Sequence, residues 1–228
     1  MTQSLFVLFF IFAISQQGCG LPQESKDAQQ SGQNKASPTL KNEITETTID
    51  NVDKKVIEQL LEDAKAYLRE EELSAAERII SDGLKKTEGI SGLETAAAHF
   101  MLLRGKSAMY GDNEIEARRH FADALAVFHV QKNDDGRFET FVAVGCLETR
   151  RGDYPAAERQ FEQAETIKGN VKNSILIGHY SMEKGRLASR KMKSDDAIKL
   201  YQEAFSVFET AKDKQAVADV LVLLANEE

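Results

Sequence analysis

Cys146 is the one nucleophilic thiol set inside an apolar segment, directly after Gly145, and there it reads as a small packed side chain rather than as a reactive thiolate. The other cysteine, Cys19, lies far away in a polar context, so the pair predicts no disulfide framework. His120 and His129 stand nine residues apart, which is not a spacing that lets two imidazoles of one helix meet at a metal ion. The sequence contains no HExxH, no paired-cysteine motif, no glycine-rich phosphate loop and no nucleophile elbow. The 37 acidic residues supply carboxylates everywhere, and without a special environment they read as solvated helix faces. These residues predict a protein with no catalytic centre, no metal and no cofactor.

Elements must therefore be found from composition and period. With 42% apolar residues, 14 Gly and 3 Pro in 228 residues, the chain is predicted to be all-α. A net charge of −8 makes nucleic acid a poor partner, because phosphate binding needs a net basic face and no basic arm is present. Residues 5–14 read LFVLFFIFAI, an apolar run of ten, too short for the roughly 20 residues of a membrane span but suited to a signal-peptide core. Gln16, Gln17, Gly18 and Cys19 follow it and resemble the end of a bacterial lipoprotein signal. That resemblance implies removal of residues 1–18, lipidation of Cys19 and, with Gly20 next, sorting to the outer membrane, the lipid being the only membrane contact. An ordinary secretory signal cut near Ser15 or Gly20, giving a secreted or periplasmic protein, is the other reading. Residues 19–50 are rich in Gln, Ser, Asn and Lys and lack aromatics; such a segment reads as a disordered polar tether.

From residue 51 onward the chain repeats itself. The segments LREEELSAAERIISDGL, MYGDNEIEARRHFADAL, RRGDYPAAERQFEQAE and KMKSDDAIKLYQEAF align on Ala76, Ala117, Ala157 and Ala197, spaced by 41, 40 and 40. Four places later stand Ile80, Phe121, Phe161 and Tyr201, and three further on Gly83, Ala124, Ala164 and Ala204. Twelve places before each alanine stands another small residue, Ala64, Gly105, Gly145 and Gly185. Helices approach closely only where small residues meet, and a large apolar knob fills the space beside them. Each helix pair leaves a face bare until its neighbour stacks on it.

In FVAVGCLETRRGDYPAAERQFEQAE, Phe141, Gly145, Gly152, Asp153, Tyr154, Ala157, Phe161 and Ala164 resemble the tetratricopeptide repeat pattern, and the longer period is similar to that of long-helix variants of the family. The resemblance implies a right-handed superhelix of about four helix pairs over residues 53–88, 94–130, 134–168 and 174–211, followed by a half-repeat helix over 213–226. It also implies a concave groove lined by the first helix of each pair.

One place after the small residue, that groove would present Lys65, Lys106, Cys146 and Arg186; four places further it would present Arg69, Tyr110, Arg150 and Arg190. Six of the eight are basic, where the composition alone gives about one, and residues four apart share a helix face. His99 and His179 would rim the same groove. The ladder suits an acidic peptide or a carboxylate terminus; equally, cations near helix C-termini offset the helix dipole. In the last helix Val220, Leu223 and Leu224 read as an apolar docking face, open to homodimerisation. The functional expectation is a scaffold or adaptor that holds a protein or peptide at the cell envelope, as in outer-membrane or pilus assembly. The alternative is a regulatory subunit that modulates a cell-wall enzyme or binds a signal peptide.

Overall fold

The computed structural model describes residues 51–227, with side chains from Lys54 onward. Cys19, the signal-peptide segment and the polar tether lie outside the described residues. Among the described residues the protein is all-helical: α1 (Asn51–Arg69), α2 (Leu73–Thr87), α3 (Glu94–Tyr110), α4 (Glu114–Val130), α5 (Asp134–Arg151), α6 (Tyr154–Ile167), α7 (Ser174–Arg190), α8 (Ser194–Ala211) and α9 (Lys214–Ala225). A single 3-10 turn, Lys168–Asn170, extends α6.

Period and capping set these boundaries together. Asn133, Asn173 and Asp213, each 40 residues apart, cap α5, α7 and α9 by accepting a hydrogen bond from the backbone N–H of Gly136, Ile175 and Ala216. Asn113 and Asp153 cap α4 and α6 in the same way. Such caps satisfy a donor that the first helical turn leaves free. The turn inside each pair passes through one left-handed residue, at Glu71, Asp112, Gly152 and Met192. Only one of the four is glycine, the residue that adopts this conformation without steric cost.

Consecutive helices pack as antiparallel neighbours, α1 on α2, α3 on α4, α5 on α6 and α7 on α8. The rows of small residues make the close approach possible. A methyl group added at Gly105 would stand 2.5 Å from the Phe121 ring, and one at Gly145 would stand 2.8 Å from Phe161. Gly185 meets Tyr201 more closely still. In the first pair Ala64 faces the smaller Ile80, and the two share one core cluster. Between pairs, Phe100, Thr140, Tyr180 and Val220 occupy one repeated position on α3, α5, α7 and α9 and are wholly buried, at 0–1% exposure. Phe100 fills the space beside Gly83, and Tyr180 and Val220 share a core cluster with Ala164 and Ala204 of the preceding helix.

Val220 therefore belongs to the core and not to a docking face. It buries the inner side of α9 against Ala204 and Phe208 of α8. Leu223 and Leu224 are half-buried at the edge of that cluster. The large apolar side chains that α9 shows to solvent are Leu221 and Val222, at 50% and 62% exposure. No helix among the described residues is long and apolar enough to cross a membrane.

Candidate functional site

The first helix of each pair touches the first helix of the next: α1 meets α3, α3 meets α5, and α5 meets α7. Among the described residues α2, α4, α6 and α8 make no comparable contact with one another. The first helices thus form the inner row of the array, and side chains on their shared face converge. Residues six places before and one place after each small residue lie on this face, a separation of seven that returns a helix to the same side.

An ion pair stands at its centre. The Lys106 ammonium of α3 donates to the Glu139 carboxylate of α5 at 2.7 Å, with both side chains largely covered. Burial disfavours both charges, and the pairing outweighs it. It raises Lys106 above its ordinary value and, helped by His99 and Lys65, brings the Glu139 carboxyl down to about 2. Two imidazoles flank the pair. His99 of α3 packs edge-on against Phe128, with ring centroids 4.8 Å apart, and His179 of α7 repeats this on Phe208 at 4.9 Å. Burial lowers both, and it brings His179, which also feels Lys106, to about 4. At neutral pH each is an uncharged ring.

A second polar group lies between α5 and α7. The Cys146 thiol lies beside Glu183, and burial followed by that carboxylate holds it well above the usual thiol range. A thiolate is disfavoured there, as the packed reading of Cys146 requires. Arg186 turns back on Glu183 at 3.5 Å within α7. At the helix ends, Arg150 reaches Asp112 at 3.3 Å and lies 6.0 Å over the half-exposed Tyr110 ring.

The structure thus brings Lys106, His99, His179, Tyr110, Cys146 and Arg186 onto one inner surface, but it does not leave a bare basic ladder. Glu139, Glu183 and Asp112 neutralise Lys106, Arg186 and Arg150, and Lys65 pairs with Glu62 at 2.8 Å on its own helix. Arg69 and Arg190 are exposed and carry no ion pair with another described residue. Sequence reasoning missed these acidic partners, although one of them occupies the same repeat position as residues it did single out. Glu139 is the equivalent of His99 and His179, whereas Glu183 stands where the earlier repeats carry Leu103 and Ala143.

The expectation that the carboxylates are all solvated also fails at Glu148. This residue is 2% exposed and is held by Arg118 of α4 and, at 3.1 Å, by Arg151 of its own helix. Its two cationic partners supply the opposite charge that a carboxylate in the interior requires. His120 is buried beside Glu116 and Arg119 on the outer helix α4, away from the inner row. Among the described residues no cluster of His, Cys, Asp or Glu could hold a metal ion. No protein-family model matches the chain, and no curated protein matches it.

Proposed function

We propose that this chain is a tetratricopeptide-type array, a right-handed superhelix of helix pairs, that holds a partner polypeptide along the inner row of its first helices. The observation that carries the reading is the inner row itself. Side chains from α1, α3, α5 and α7 recur there at one register, so an extended segment laid across the helices meets a new polar group at each repeat. The small-residue rows at Gly105, Gly145 and Gly185 support the repeat type, because each accepts the aromatic residue of its own second helix. Holding, not chemistry, suits a surface whose thiol is suppressed and whose charges are mostly paired.

The partner is an acidic segment. Arg69 and Arg190, at the C-terminal ends of α1 and α7, supply cations without an internal partner among the described residues. Arg150 and Tyr110 lie on the same rim and add a charged group and an aromatic ring. A ligand carboxylate competes with Asp112 for Arg150 at little cost, since that pair is exposed. Lys106 is less available, because displacing Glu139 leaves a covered carboxylate without its counter-charge. Binding of a fluorescent acidic peptide, followed by anisotropy at low salt, tests the reading. The double variant Arg69→Glu with Arg190→Glu is expected to weaken it by roughly tenfold or more; equal affinity for the variant and the native chain rejects the groove.

The envelope setting belongs to the same proposal and rests on the apolar run 5–14 with Cys19 behind it. Loss of the chain from the membrane fraction in Cys19→Ser is the expected result, and unchanged fractionation rejects the lipid anchor.

A further inference from the structure

His99, Glu139 and His179 stand 40 residues apart, at one repeat position of α3, α5 and α7. The three helices therefore present them as a row across the inner face, six places before Gly105, Gly145 and Gly185. Side chains here keep little open surface, 19% for Glu139 and 16% for Glu183. Groups on α3 and α7 also act on one another, although among the described residues the two helices share no comparable contact: Lys106 lowers His179, and Glu183 raises Tyr110. The first helices thus curve round a narrow cleft with the row along its floor.

The charges in this cleft are mostly paired, but other polar atoms of the row are not. The Lys106 ammonium takes Oε1 of Glu139, and Oε2 accepts no hydrogen bond from a described residue. Neither His99 nor His179 is hydrogen-bonded to a described residue, in contrast to His120, which meets Glu116 and Arg119. Phe128 and Phe208 hold the two rings edge-on, and the ring nitrogens stay open to solvent. A neutral imidazole offers one donor and one acceptor, and the second carboxylate oxygen is an acceptor. Spread over three helices, the row does not close on a metal ion.

We propose that His99, Glu139 and His179 bind the main chain of the partner, which enters the cleft as a single extended strand. The inference rests on the groove reading above and adds which part of the partner is held. An extended strand leaves one N–H and one C=O free at each residue, whereas a helix spends them internally. Packed helices lie roughly 8–10 Å apart, and an extended strand advances about 3.3 Å per residue. The strand therefore meets a new member of the row about every three residues. Main-chain bonds do not depend on side-chain identity, so the centre of the bound segment is free in sequence, while its acidic residues meet Arg69 and Arg190 at the rim.

Anisotropy of a fluorescein-labelled peptide of alternating glutamate and serine, added to the full chain, tests the proposal beside two derivatives. One is N-methylated at alternate backbone nitrogens, and the other has the same length but is locked as a helix by lactam bridges. The native chain is expected to bind the parent peptide roughly tenfold more tightly than either derivative. The double variant His99→Leu with His179→Leu is expected to bind the parent roughly tenfold more weakly and to treat parent and N-methylated peptide alike. His99→Gln with His179→Gln, which keeps a donor and an acceptor at each site, is expected to restore the difference between them. Circular dichroism checks the fold of both variants. Equal binding of the three peptides by the native chain, or a leucine variant that still discriminates against N-methylation, overturns the proposal. The variant Arg69→Glu with Arg190→Glu separates the two readings. If it binds the parent as the native chain does while N-methylation still weakens binding, the acidic partner is wrong and the main-chain row stands. Absence of binding to all three peptides overturns both.

Discussion

Gly105 illustrates how one atom sets the spacing of two helices. A methyl group at this position would stand 2.5 Å from the ring of Phe121, a side chain 1% exposed and unable to move aside. Alanine improves helix propensity by about 1 kcal/mol, but forcing a methyl group into a filled core costs about 1–3 kcal/mol. Gly105→Ala is expected to lower unfolding stability by up to about 2 kcal/mol in urea denaturation. Gly111→Ala provides the contrast, because a methyl there meets nothing nearer than 3.5 Å; it is expected to be close to neutral. This residue-scale logic was readable in the sequence. Glycine recurs where the partner position is aromatic, and alanine stands where it is Ile80. Glu139, Glu148 and Glu183 were not readable, because nothing local separates a carboxylate that will meet a cation of another helix from one that will face water.

The helices depend on turns that tolerate imperfect residues. Met192 holds a left-handed φ of 59° between α7 and α8, the conformation that Gly152 takes at 80° between α5 and α6. A side chain in this region costs about 1–2 kcal/mol, and Met192, at 93% exposure, recovers nothing by packing. Met192→Gly should therefore stabilise the protein by about 0.5–1 kcal/mol, the gain being reduced by the greater freedom of glycine in the unfolded chain. Gly152→Ala should destabilise it by about 1 kcal/mol. Urea unfolding of both variants checks the pair, and matching signs would show that the turn conformation is not under strain. The sequence marked these turns only at Gly152. At Glu71, Asp112 and Met192 the packing of the flanking helices imposes the conformation.

At the scale of the whole array, the polar inner row sets the response to acid. His179 has its folded value lowered to about 4, and His99 is shifted in the same direction. A lowered imidazole favours the neutral ring in the folded state, so its stabilisation is complete above the unfolded value near 6.5 and is lost as pH falls toward 4. Glu139, lowered to about 2, contributes stability that is present above the ordinary carboxylate range and lost below it. Both effects have one sign, so the melting temperature is expected to fall continuously from pH 6.5 downward. Replacing His179 with Leu should flatten the part of the profile between pH 6.5 and 4 by on the order of 1–2 kcal/mol, the partial exposure of the ring moderating the full shift. Thermal melts of the two proteins across that range provide the check. A profile identical to the native one would assign the acid response to the carboxylates alone.

By itself the sequence determined the all-helical class and the pairing of helices, because small and aromatic residues recur at a fixed period and that period is a property of the chain. It also determined which helix faces carry polar groups. Only the tertiary structure decided the partners of those groups. Lys106 meets Glu139 from a position 33 residues later, and Arg118 meets Glu148 from 30 residues later, distances at which local pattern carries no information. The face of α9 was decided in the same way. Val220, Leu221 and Val222 are equally apolar in sequence, and contact with α8 buries the first and leaves the other two in water. Side-chain period is fixed along the chain, whereas charge compensation and burial are fixed by which helices meet.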